Sequence, residues 1–263
     1  MKLIWTSLAI LALTIPAMAQ QKSLSCDRNG FNQNRLVTHC EMREQTIAYP
    51  GRISVDPGTN GGISVKGWDG GGVLVRSKVE SAGVDDGAAR IVGSQIQINT
   101  SGGVVNATGP DLNGDQNWSV SFEIFVPRQA DLNLKANNGG ITITGVNGNI
   151  QFHTMNGGVT LKELAGDVEG DTMNGGLNIT LAGDRWNGNK LDARTTNGGI
   201  NISMPQQYSA HFETGTVNGH LNLDFPMTVH GEIGRHLVTE IGSGGATIHV
   251  ETTNGGVNVR RSS

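Results

Sequence analysis

One phrase recurs along this chain: Thr, any residue, Asn-Gly-Gly, then an apolar, a polar and an apolar residue. It stands complete at Thr154 to Leu161, Thr172 to Ile179, Thr195 to Ile202 and Thr252 to Val259, with a near copy at Thr216 to Leu223. Related Asn-Gly-Gly steps begin at Asn60 and Asn138, and variants occur at Ser101-Gly102-Gly103 and Ser243-Gly244-Gly245. Recurrence of this kind marks supersecondary units that bury their apolar faces by stacking on one another.

Within each unit the residues after the glycines alternate. Ile141 and Ile143, Val159 and Leu161, Leu177 and Ile179, Ile200 and Ile202, Leu221 and Leu223, and Val257 and Val259 are apolar, with Thr or Asn between them. Period two is the mark of a strand with one buried face. A second strand precedes each Asn, with Leu132, Ile150, Val168, Leu191 and Phe212 all six positions upstream. The Asn spacings of 18, 18, 23 and 21 from Asn138 to Asn218 put the extra residues in loops between the two strands, at 183–189 and 205–209. Asn-Gly between strands is also the signal for a type I′ hairpin, so an antiparallel meander is the competing fold. Alignment of every column favours stacking, with the Thr two before each Asn expected to form a ladder at about 4.8 Å. The expected fold is all-β: a parallel β-solenoid of two-strand rungs, turning at Asn138, Asn156, Asn174, Asn197, Asn218 and Asn254.

The front of the chain reads differently. Lys2, the apolar run Leu3 to Ile15 and Ala17-Met18-Ala19 predict a signal peptide over residues 1–19, cleaved after Ala19. That run is shorter than the roughly 20 residues of a membrane-spanning helix, so a periplasmic or secreted protein with no membrane span is expected. Cys26 and Cys40, 14 positions apart, are expected to form a disulfide in such a compartment. On the loop-entropy model a bridge of this length is worth about 3 kcal/mol. It would close a cap over residues 20–45, protecting the open edge of a repeat domain over 46–263. Residues 46–127 carry further strand segments, and 79–92 reads as a short helix or a long turn.

Without Lys2 the chain has 18 basic and 23 acidic side chains, a formal charge of −5. No basic run exists to neutralise phosphates, so nucleic acid is not an expected partner. The 39 glycines and 16% charged residues fit turn-rich β-structure and argue against a helical bundle.

Trp118 to Pro127, then Ala130-Asp131-Leu132-Asn133-Leu134 leading into Asn138-Gly139-Gly140, resemble the bacterial putative-adhesin family of β-strand-repeat proteins. The resemblance continues through Gly166-Asp167-Val168, Arg185-Trp186-Asn187-Gly188, Met204-Pro205 and Tyr208-Ser209-Ala210. It implies a β-repeat fold and an envelope location, and it brings no catalytic residues and no cofactor.

Five positions before each Asn, an outward column reads Asn133, Gln151, Glu169, Asp192, Glu213, and three before, Lys135, His153, Asp171, Arg194. On consecutive rungs this makes an acidic stripe of Glu169, Asp171, Asp192 and Glu213 around Arg194, a candidate ligand or cation face. Paired carboxylates can act as acid and base on a glycosidic bond, and oxygen clusters bind hard cations. The plainer reading is a solvated face whose like charges are screened. The seven histidines show no metal-ligand spacing, with only His230, Glu232 and His236 as a weak set. No Gly-x-Ser-x-Gly elbow is present, and no Lys or helix follows the glycine steps as a phosphate loop demands. Trp186 and Tyr208, in the inter-strand loops, are candidate aromatic contacts or lids over the core. The sequence therefore points to an exported, non-enzymatic binding or structural module for an envelope glycan or protein. A carbohydrate-active hydrolase using the acidic stripe and a protein-binding periplasmic scaffold are the alternatives.

Overall fold

The computed structural model describes residues 23–26, 36–111, 114–224 and 234–262. The strands are β1 (Val37–Ala48), β2 (Arg52–Asp56), β3 (Ile63–Trp68), β4 (Gly72–Gly83), β5 (Gln97–Asn99), β6 (Val104–Thr108), β7 (Asn117–Pro127), β8 (Asp131–Asn138), β9 (Ile141–Thr144) and β10 (Asn147–Asn156). They continue as β11 (Val159–Lys162), β12 (Ala165–Asn174), β13 (Leu177–Thr180), β14 (Lys190–Asn197), β15 (Ile200–Met204), β16 (Ala210–Asn218), β17 (Leu221–Asp224), β18 (His236–Ile241), β19 (Thr247–Asn254) and β20 (Val257–Arg261). One helix, α1 (Asp86–Gln95), follows β4, its first turn capped by the Asp85 side chain accepting from the Ala88 amide at 2.7 Å. The expected helix or turn at 79–92 thus divides: β4 takes its start and α1 runs past its end.

The described strands form two sheets. One runs β1-β4-β7-β3-β9-β11-β13-β15-β20-β17 and the other β18-β16-β19-β14-β12-β10-β8-β2-β6-β5. From β8 to β15 the chain alternates between sheets, and each strand pairs in parallel with its counterpart in the next repeat. The inward residues of both sheets meet in a single core. Ile141, Val159, Leu177, Ile200 and Val257 from one sheet, and Leu132, Ile150, Val168 and Ile248 from the other, are fully buried. Gly170 takes an inward place without a side chain, and the Phe152 ring fills the space, within 2.5 Å of where a Cβ would stand.

The corner at each Asn-Gly-Gly explains its three residues separately. Asn156, Asn174 and Asn197 each donate from Nδ2 to the Oδ1 of the preceding Asn at 2.9 Å, and Asn254 and Asn218 extend the ladder at 2.8 Å. The ladder is therefore made by asparagine. The Thr two positions earlier is buried and donates instead to a glycine carbonyl of the neighbouring unit, as Thr172 does to Gly157 at 2.8 Å and Thr195 to Gly175 at 2.7 Å. The expected threonine ladder is corrected accordingly, because this Thr shares strand parity with the inward residues and has only backbone to meet.

The first glycine lies against the preceding unit: a Cβ on Gly157, Gly175, Gly198 or Gly255 would come within 2.1–2.2 Å of that unit's glycine carbonyl oxygen. The second faces the following unit at 2.9–3.4 Å for Gly140, Gly158, Gly176 and Gly199. None of these glycines, nor the Asn before them, has positive φ. A type I′ turn requires it at both central residues. The glycines serve close approach between backbones rather than a hairpin.

Stacking order departs from chain order at both ends. β19 lies between β14 and β16, and β20 between β15 and β17. At the other end β2 lies between β6 and β8, and β3 between β7 and β9. The sequence shows why the Asn218 unit stands outside the Asn254 unit. It has His220 in place of the second glycine, and as the outermost unit of its sheet it has no further repeat packed on the side that this side chain would meet.

Cys26 and Cys40 are joined in a disulfide, Cys40 lying on edge strand β1. That strand pairs antiparallel with β4 along its whole length and runs across residue 45. The expected signal segment, 1–19, lies outside the described residues. No helix among the described residues is long and apolar enough to cross a membrane.

Candidate functional site

The outward face of the sheet carrying β8 to β19 presents three columns set by strand parity. In stacking order the first reads Asn133, Gln151, Glu169, Asp192, His249, Glu213 and the second Lys135, His153, Asp171, Arg194, Glu251, Gly215. The third, next to the asparagine ladder, reads Asn137, Met155, Met173, Thr196, Thr253, Val217. Glu169 and Asp192 are register neighbours as expected. Glu213 is not beside Asp192: insertion of β19 puts His249 between them, so the three acids do not form a continuous run.

The acids are paired. Lys190 Nζ approaches Glu169 Oε2 at 2.6 Å, and its hydrogen bond holds the Glu169 carboxyl below the usual carboxylate range. Asp192, 19% exposed, receives Arg194 Nη2 at 3.0 Å and His249 Nδ1 at 3.1 Å. Asp171 receives His153 Nδ1 at 3.0 Å, and Glu213 receives His211 Nε2 at 3.0 Å. The stripe is a mixed-charge surface with partners drawn from the same and neighbouring strands. A general acid needs a raised pKa, and Glu169 is shifted the other way. Among the described residues no three His, Cys, Asp or Glu side chains stand together as a metal set. His230 and Glu232 lie outside the described residues. A shallow concavity of about 400 Å³ runs between Asp171, Arg194 and Glu251 on one side and Thr196 and Thr253 on the other.

Trp186 and Tyr208 are corrected as candidate contacts. They are 5% and 1% exposed, closing the core beneath their loops, and Trp186 Nε1 donates to the Gly166 carbonyl at 2.9 Å. Burial pushes the Tyr208 hydroxyl up, and neither ring is open to solvent.

His211 links two strands. Besides Glu213 it meets Glu240 of the antiparallel edge strand β18, Nδ1 to Oε1 at 2.5 Å, and the hydrogen bonds it donates to Glu240 and then to Glu213 raise its pKa above 6.5. A raised histidine adds stability that is full below the unfolded pKa and is lost as pH rises through the folded one. The melting-temperature gap between the wild type and His211→Gln should therefore narrow as pH is raised from below 6.5 through neutrality. A gap constant across that range would remove the charged pairing of β18 to β16.

Sequence reasoning passed over Glu123, the lone acid in an apolar run of β7. It is 1% exposed and binds Lys66 Nζ at 2.7 Å, Arg76, and the Ser23 amide and hydroxyl at 2.9 and 2.7 Å. Burial alone would raise its pKa, but the hydrogen bonds from Lys66, Ser23 and Arg76 outweigh it and hold the carboxyl at about 2. Glu123 thereby ties the segment before Cys26 to the outer face of the sheet.

A model of the family described as Toastrack DUF4097 matches residues 53–260. No curated protein matches the chain. Among solved structures, a putative cell adhesion protein from Clostridium sporogenes is similar at 10% identity and a TM-score of 0.50, covering 85% of this chain and 100% of that one. A putative adhesin from Bacteroides fragilis is similar at 10% identity and a TM-score of 0.39, covering 84% and 97%. A putative lipid binding protein from Parabacteroides distasonis stands at 9% identity and a TM-score of 0.30, covering 84% and 96%.

Proposed function

The chain belongs to the Toastrack DUF4097 family, and from that premise we propose that it is an exported, non-enzymatic binding module of the cell envelope. Its working surface is the three-column face between Asn133 and Glu213. The observation that carries this reading is the pairing of Glu169, Asp171, Asp192 and Glu213 on that face: carboxylates that each meet Lys190, Arg194 or a histidine within 3.0 Å suit recognition better than proton transfer. The finer architecture is a β-solenoid of two-strand rungs turning at Asn-Gly-Gly, with residues 20–45 as its cap. The asparagine ladder and the parallel register support it. A signal peptide at 1–19, export to the periplasm or beyond, and the Cys26–Cys40 bridge form one consistent reading, since disulfides persist in oxidising compartments.

The partner we favour is macromolecular, because the hollow is shallow and the face is long. A protein is favoured over a glycan. None of the large apolar side chains exposed among the described residues is aromatic, and rings are the usual stacking platforms for sugars. The description of the similar Clostridium sporogenes structure as a putative cell adhesion protein agrees with a binding role.

The test incubates the mature protein with envelope polysaccharides and, separately, with envelope proteins, measuring retention and newly released reducing ends. Retention on protein without new ends is expected. New reducing ends that vanish with Glu169→Ala would replace the reading with a hydrolase. Glu169→Ala itself should change stability by no more than about 0.5 kcal/mol, because its ion pair is exposed. A larger loss in chemical denaturation would mean that the pair is structural.

A further inference from the structure

Parallel pairing of β10 with β12 brings together side chains that stand apart in sequence. Thr154 pairs with Thr172 and Asn156 with Asn174, so Met155 and Met173, between them, are neighbours across about 4.8 Å. Both are exposed, at 42% and 43%. His153, two residues before Met155, emerges from the same face. Its Nδ1 lies 3.2 and 3.0 Å from the two carboxylate oxygens of Asp171. An ionised carboxylate only accepts, so Nδ1 carries the proton and the lone pair of the neutral ring is on Nε2. A carboxylate on the far nitrogen is also the arrangement that orients metal-ligating histidines and raises their basicity.

We propose that His153 Nε2 and the thioether sulfurs of Met155 and Met173 form a binding site for a soft monovalent metal ion, Cu(I) foremost. Thioethers select Cu(I), while hard divalent ions require oxygen ligands. The three donors start from a triangle of about 4.8 Å across the strands and about 6.6 Å along one, and methionine's three rotatable bonds let both sulfurs close on one ion. The site is confined to this layer. Asn137 precedes the methionines in their column and Thr196 and Thr253 follow them, while the other imidazole–carboxylate pairs of this face, His249 with Asp192 and His211 with Glu213, have no methionine on their strands. Of the other methionines among the described residues, Met204 is buried and Met42 is on β1 in the opposite sheet. The site is independent of the binding-module reading.

The experiment titrates anaerobic mature protein with Cu(I) against the chelator bicinchoninate. The wild type is expected to withdraw a single equivalent, and Met155→Leu with Met173→Leu to weaken uptake at least about tenfold, on the scale seen when metal-site residues are lost. His153→Gln should do the same. These side chains are exposed, so the variants should melt as the wild type does. Asp171 acts as a positioning residue: Asp171→Ala should weaken binding by about 10–100-fold, and Asp171→Asn, which keeps an acceptor for Nδ1, should recover part of it. Zn(II) at the same concentration should not displace Cu(I). The proposal fails if the wild type leaves copper with the chelator, if the double methionine variant competes equally well, or if Zn(II) displaces the copper.

Discussion

Deleting residues 247–263 unfolds the chain beyond Met204 instead of shortening it by one layer. In a repeat protein stacked in chain order, removing the last unit costs one interface, and the rest stays folded. Here β19 and β20 occupy the middle of a stack. β16 has parallel partnership only with β19, and β17 pairs only with β20 among the described strands. The deletion removes the buried Ile248, Val250, Val257 and Val259, each worth roughly 1.5–3 kcal/mol when fully buried. It also uncovers Leu191 and Ile200 on one side and Phe212 on the other. Two interfaces are lost together, and β18, which pairs only with β16, goes with them. Circular dichroism should show loss of strand signal well beyond the deleted segment, and limited proteolysis should cleave freely beyond Met204. A truncated protein that melts cooperatively, with residues 205–246 still protected, would show that β16 and β17 can close directly onto β14 and β15.

This arrangement marks the boundary of what the sequence makes legible. Inward columns are readable because period two separates buried from exposed residues wherever one face is covered, and the recurring Asn aligns the units without ambiguity. Stacking order is harder, since each unit presents the same Asn, glycines and apolar pair to any neighbour. The one local sign is His220, a side chain where the inner units have glycine. Parity also assigns the Thr before each Asn to the inner side, along with the positions six and four before the Asn, and so to backbone acceptors. The acidic column is visible in the sequence, but its neutralisation is not. Lys190, His211 and His249 come from other positions or from a unit inserted out of order. Trp186 and Tyr208 sit in loops, and nothing local shows that a loop folds inward over the core. Glu123 is legible only as an anomaly, an acid amid Phe122, Ile124 and Phe125, whose partners are supplied by distant strands.

Gly175→Ala should destabilise the protein by about 3 kcal/mol or more, as overpacking does where backbone, not a flexible side chain, is the obstacle. The added Cβ would stand 2.1 Å from the Gly157 carbonyl oxygen and 2.4 Å from its carbon. Neither atom can retreat, because each belongs to a corner fixed on its own far side. The Gly157 carbonyl accepts from Thr172 Oγ1, and the Asn174 side chain bonds to Asn156 across the same gap. Separating the two layers enough to admit a methyl group would break both bonds and open the close contact of Val159 with Leu177 in the core. Gly71 supplies the control: a Cβ there meets nothing within 4 Å and its φ is not positive, so Gly71→Ala should leave stability unchanged or slightly raised. Chemical denaturation of the two variants separates the causes. If glycine were needed at 175 only for chain flexibility, both substitutions would be mild. A loss confined to Gly175→Ala assigns the glycine column to layer spacing, while a stability near that of the wild type would mean that the layers part more easily than their side-chain ladder implies.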